Sequence, residues 1–168
     1  MPLLIGSTYP KSLTYANLRQ NPSYSTGVAA ALGAAYTLAG RVADAVPLLT
    51  QAVEQSEAGG RPKCLLSLSE AYLLAERHAE ACTRAEHALE LVTTSKSRGM
   101  QAWIFRLLGD IVRHRDPPDL DQAETHYQHA LALATELGMR SLQAHCHRGL
   151  GTVYRPTVSS SFTPVCVT

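Results

Sequence analysis

The sequence predicts an all-α chain in which antiparallel helical hairpins stack into a solenoid of about three and a half repeats. Three observations carry that expectation. A leucine followed by a tiny residue recurs at Leu32-Gly33, Leu68-Ser69, Leu108-Gly109 and Leu150-Gly151, and Tyr36, Tyr72, Val112 and Tyr154 stand three positions beyond each pair. Past a short turn, the first three copies continue with Ala45, Leu49 and Ala52, then Ala81, Ala85 and Ala88, then Ala123, Tyr127 and Ala130. Between copies lie breaker-rich stretches, "SEAGGRP" and "RHRDPPDLD". Tiny residues allow two helices to approach closely, while Leu, Tyr and Val fill the space between successive pairs.

Element by element, the pattern places helices near 25–39, 42–56, 62–75, 78–93, 97–114, 120–137 and 140–155. Residues 1–24, with Pro10, Asn21 and Pro22, carry no sustained period and read as irregular, apart from a short helical stretch around 12–20. Gly40 is placed to end the first helix in the left-handed conformation that glycine favours. Pro47 lies close to the first turn of the second, where a missing N–H does least damage. Pro117 and Pro118 force the long third turn, after which Asp119 or Asp121 caps, with Gln122 or Glu124 in the reciprocal position. Pro156 is expected to stop the last helix, leaving 156–168 as an irregular tail. The repeat domain is thus 25–155, read as a truncated or frameshifted array whose last helix lacks its mate. Such a helix should expose Leu142, Cys146, Leu150 and Val153, and the expected consequence is weak self-association of two chains, a homodimer through that end.

The paired small residues resemble the tetratricopeptide repeat, a helix–turn–helix unit of about 34 residues. From Gly33 to Ser69 to Gly109 to Gly151 the intervals are 36, 40 and 42 residues, and the surplus falls in loops, where insertions cost little. HEAT-type repeats tolerate these periods but do not call for a small residue on both helices. The resemblance implies a right-handed solenoid. "LLGDIVRHRDPPDLDQAETHYQHALALATELGMRSLQAHCHRGLGTVYR" is further similar to the C-terminal repeat region of large bacterial regulators, in which an ATPase module, often joined to a nucleotide-cyclase-like domain, precedes such repeats. That likeness covers roughly 25–155 and implies sensing or assembly. Neither catalytic module is carried over, because the chain has no GxxxxGK[ST] loop.

Bulk properties narrow the partners. The 168 residues suit one domain, charged residues are 17%, and the formal net charge is +1. That balance leaves no footprint for a polyanion, so nucleic acid is not expected as a partner. The apolar run Leu3-Leu4-Ile5 is too short for a signal-peptide core and no stretch spans a membrane, so no membrane partner and a cytoplasmic location are expected. Cys64, Cys82, Cys146 and Cys166 lack CxxC spacing and read as buried reduced thiols.

Seven histidines invite a metal reading. His145 and His147 are two apart on a helix and point to different sides. His126 and His129 share a face, but no third ligand lies within their helix, and the pair His78 and Cys82 has no second pair to answer it. No GxSxG elbow or oriented Cys/His/Asp pattern appears. The chain is therefore expected to be no enzyme and to need no cofactor or metal.

What remains is the concave face lined by the first helix of each hairpin. The family's groove-facing offsets fall on Gly27, Ala30, Ala34 and Thr37, then on Lys63, Leu66, Glu70 and Leu73. The next copies give Trp103, Arg106, Asp110 and Arg113, then His145, Arg148, Thr152 and Arg155. The candidate partner-binding residues are the charged, aromatic and imidazole members of these stripes: Lys63, Glu70, Trp103, Arg106, Asp110, Arg113, His145, Arg148 and Arg155. The groove should run from apolar to basic, with Arg106, Arg113, Arg148 and Arg155 as one cationic stripe. Ala30 and Ala34 occupy the positions where chaperone-binding relatives carry a carboxylate clamp, which disfavours a chaperone-tail adaptor. The expected function is a non-enzymatic scaffold that binds a protein or peptide partner, a piece of a larger bacterial regulatory ATPase. The alternatives are a ligand- or peptide-sensing helical domain and, behind it, a metal-dependent enzyme built around His126 and His129.

Overall fold

The computed structural model describes the backbone of residues 22–159 and the side chains of residues 27–155. The expected irregular segment before residue 22, its helical stretch at 12–20, and the tail beyond 159 lie outside the described residues. Seven helices, and no strand, make up the described chain: α1 Pro22–Leu38, α2 Val42–Gln55, α3 Arg61–Leu74, α4 His78–Thr94, α5 Arg98–His114, α6 Leu120–Glu136 and α7 Arg140–Ser159. Each helix packs on the next in sequence, and α1 packs on α3, α3 on α5 and α5 on α7. The even-numbered helices make no such contacts with one another. Two layers result, an inner one of odd-numbered helices in mutual contact and an outer one of α2, α4 and α6.

Small residues set the hairpin register. A Cβ at Gly33 would lie 2.4 Å from Leu49 Cγ, and one at Gly109 would lie 2.8 Å from Tyr127 Cε1. Ser69 holds the same place in the second hairpin; it is fully buried, and its hydroxyl donates to the Ala81 carbonyl at 2.6 Å. Opposite them, Ala45, Ala52, Ala81, Ala85, Ala88, Ala123 and Ala130 are at most 1% exposed. Leu65, Leu68, Ile104, Leu107 and Ile111 close the space between α3 and α5. Each such side chain contributes about 1.5–3 kcal/mol on full burial.

Four turns share one C-cap geometry. After α1, Gly40 N–H reaches the Thr37 carbonyl at 3.1 Å and Arg41 N–H the Tyr36 carbonyl at 2.8 Å, the double bond of a Schellman turn. The pattern repeats with Glu76 and Arg77, with Lys96 and Ser97, and with Gly138 and Met139. Gly40 and Gly138 have φ of 73° and 66°, as this turn requires, and Glu76 and Lys96 adopt the same left-handed region at 59° and 55°. In the first two hairpins the following arginine folds back over the preceding tyrosine, Arg41 at 4.4 Å from the Tyr36 centroid and Arg77 at 4.6 Å from Tyr72. Arg41 and Arg77 also pair with Asp44 and Glu80 of the next helix.

Several expectations need correction. α1 begins at Pro22, so residues 22–24 are helical. Pro47 sits in the second turn of α2, where its missing N–H leaves the Ala43 carbonyl without its helical donor. Of the two caps expected for α6, Asp119 is the one used, which bears that expectation out: it accepts from Gln122 N–H at 2.9 Å. α7 continues through Pro156 to Ser159, although a proline inside a helix loses its own hydrogen bond and crowds the carbonyl four residues before it. Leu142, Cys146, Leu150 and Val153 are not an open strip: they are 0%, 0%, 9% and 6% exposed, packed onto α5 and α6. The ground for a homodimer through that face is therefore gone. In the fourth copy the close-packed glycine is Gly149, whose Cβ would lie 2.6 Å from the Tyr127 ring, while Gly151 meets nothing within 4 Å and Tyr154 is 47% exposed.

Candidate recognition face

The face is built from three stripes with spacings of three, four and three residues, which keep side chains on one side of a helix. α3 supplies Lys63, Leu66, Glu70 and Leu73, α5 supplies Trp103, Arg106, Asp110 and Arg113, and α7 supplies His145, Arg148, Thr152 and Arg155. Two contacts between helices show that the stripes meet. Arg106 Nη2 of α5 donates to Glu70 Oε1 of α3 at 2.7 Å, and the Trp103 ring lies 6.0 Å from the His145 ring of α7. On α1 the stripe does not continue as a lining, since Ala30 and Thr37 are buried, Ala30 in a cluster with Leu48, Ala52 and Cys64. Thr37 turns its hydroxyl onto the Gly33 carbonyl at 2.9 Å.

Charges at the centre are matched. Arg106, 11% exposed, also donates through Nη1 to Asp110 Oδ2 at 2.7 Å, and its guanidinium carbon stands 5.6 Å from the Trp103 centroid. Asp110 Oδ1 accepts from the Tyr127 hydroxyl at 2.6 Å, while Arg113 Nε donates to that hydroxyl at 3.3 Å and Arg113 Nη2 lies 3.9 Å from Oδ1. Burial raises the Tyr127 phenol far above its usual range, and the Asp110 charge adds to the rise. Burial also raises the Glu70 carboxyl, against the pull of Arg106. Removing one member would leave a buried charge uncompensated, which is costly.

This corrects the single cationic stripe. Arg106 and Arg113 are balanced by Glu70 and Asp110, whereas Lys63, Arg148 and Arg155 are exposed and form no ion pair among the described residues. Trp103 is half-buried: one side packs on the cluster of Ala102, Ala130, Leu142 and Cys146, and the rest borders the face. The spacing of single helices suggests the Arg106–Asp110 pair, but Glu70 as its partner across helices and Tyr127 as the hub of the network do not follow from it. The one available signal for Tyr127 was a polar-tipped ring where the other copies carry Leu49 and Ala85.

Other candidate residues gather elsewhere. His126 and His129 flank Phe105 with centroids 6.2 and 5.4 Å away. His126 is no plain solvated histidine: its Nδ1 is buried without a partner, and burial, helped by His129, lowers its pKa. Among the described residues no group of three or more His, Cys, Asp and Glu side chains could hold a metal ion. Cys64 and Cys146 are buried free thiols, and the partly exposed Cys82 donates to Glu86 at 3.3 Å; burial raises its pKa to about 11. No helix of the described residues is long and apolar enough to cross a membrane. No protein-family model matches the chain, and no curated protein matches it.

Proposed function

We propose that this chain is a non-enzymatic interaction scaffold of the tetratricopeptide type, and that it recognises a protein segment on the face formed by α3, α5 and α7. The observation that carries the reading is Trp103. A half-buried tryptophan on the middle helix of a three-helix face, braced by Arg106 on one side and His145 on the other, has the make-up of a binding hot spot. The ion pairs of Arg106 with Glu70 and Asp110 hold its guanidinium beside the ring before a partner arrives, which reduces the entropy lost on binding. The hairpin register and the contacts between odd-numbered helices support the repeat assignment, and the resemblance of 25–155 supports a role as part of a larger bacterial regulator.

Site-specific photo-crosslinking tests the face. A photoreactive residue at His145 should capture a discrete protein partner in cells, and the same residue at Gln128, exposed on outer helix α6, should not. Trp103→Ala should abolish capture at His145 while helix content is kept. Equal capture at both positions would refute recognition by this face.

A further inference from the structure

We propose that the recognition face takes an acidic polypeptide segment, seated over Trp103 and His145 and held by Arg148 and Arg155 of α7. The inference rests on the reading that this face binds protein, and adds the chemistry of the partner. Charge is distributed unevenly over the stripes. The two acids of the face, Glu70 and Asp110, are engaged by Arg106, and Asp110 also by Tyr127. On α7 the acid of a neighbouring helix is met by a hydroxyl and not by an arginine: Glu124 of α6 accepts from Tyr154 at 2.6 Å. α7 itself has no Asp or Glu along its 20 residues, whereas each of α2 to α6 carries at least one. Its Arg148 and Arg155 are exposed and without an ion pair among the described residues. Exposed cations on the helix that meets Trp103, with no ion pair among the described residues, present a positive potential to whatever docks there.

Dimensions favour a short segment. Arg148 and Arg155 are separated by about 10 Å along the helix at 1.5 Å per residue, which an extended chain covers in roughly three residues. A run of a few acids followed by an apolar residue for Trp103 would fill the stripe. A nucleic acid is a poorer occupant, because its phosphates need a long basic track and the two arginines of α7 span only about 10 Å.

The test uses the full chain and a displayed library of random ten-residue peptides, with binding read from the emission of Trp103, the single tryptophan of the sequence. Selected peptides should be enriched in Asp and Glu, should shift Trp103 emission, and should bind more weakly as salt rises. Arg148→Gln combined with Arg155→Gln should weaken them about tenfold, and the Lys versions should restore most of the loss. Both arginines are exposed, so neither change threatens the fold. Selection of uncharged peptides that still shift Trp103 emission would overturn the acidic partner and leave face recognition standing. Peptides that fail to shift Trp103 emission at all would overturn both. Tighter binding of a short single-stranded RNA than of any selected peptide would also overturn the proposal.

Discussion

Tyr127 shows how one residue joins two hairpins. Its ring is fully buried between Gly109 of its own hairpin and Gly149 of the next helix, where added Cβ atoms would lie 2.8 and 2.6 Å from it. Its hydroxyl, bonded to Asp110 and approached by Arg113, fixes the ring so that it cannot swing away from an intruding methyl. Gly149→Ala should therefore destabilise the protein by about 1–2 kcal/mol, overpacking outweighing the better helix propensity of alanine. Two residues on, Gly151 is exposed in the same helix with nothing within 4 Å. Gly151→Ala should accordingly stabilise by roughly 0.5–1 kcal/mol. Urea denaturation of the two variants decides the matter, and shifts of the same sign would contradict the packing of α7 on Tyr127.

At the scale of elements, two of the four Schellman turns carry a strained residue. Glu76 and Lys96 hold φ near 59° and 55°, where a side chain costs about 1–2 kcal/mol and glycine very little. Glu76→Gly and Lys96→Gly should each stabilise by up to ~1 kcal/mol after the larger unfolded-state entropy of glycine is subtracted, measurable as a higher melting temperature. A loss of stability in both would mean that the side chains contribute more than their backbone strain costs. These turns also mark what can be read from residues alone. Helix ends at Gly40 and before Pro117 were legible because a glycine or proline stands where the backbone needs one. The ends at Glu76 and Lys96 were legible only as gaps between apolar periods, with no residue announcing the left-handed cap. The stripes of the face followed from spacing within single helices. The bond from Arg106 to Glu70 did not, because it depends on which helices become neighbours across loops of unequal length. The exposure expected of Leu142, Cys146, Leu150 and Val153 failed for a related reason: one face of α7 is already covered by α5 and α6, whatever follows it.

Across the whole molecule, stability should be graded and not uniform. Arrays in which each unit touches only its neighbours behave as sums of local terms, and units with a neighbour on each side open least. The largest cluster of buried side chains runs from α2 through α5 and takes in Leu49, Leu65, Leu68, Val92, Ile104, Leu107 and Ile111. Among the described residues, α7 enters two smaller clusters, through Leu142 and Cys146 and through Leu150 and Val153. Amide hydrogen exchange should therefore be at least about tenfold faster in α7 than in α3 to α5, a difference of roughly 1.4 kcal/mol in opening free energy. The Gly149→Ala change sharpens this expectation, since it strains only the contact between α6 and α7. Faster exchange confined to those two helices would mark them as a separately opening unit at the edge of the recognition face. An equal rise across α3 to α7 would mean that the stack opens as one cooperative body, and the graded account would then be wrong.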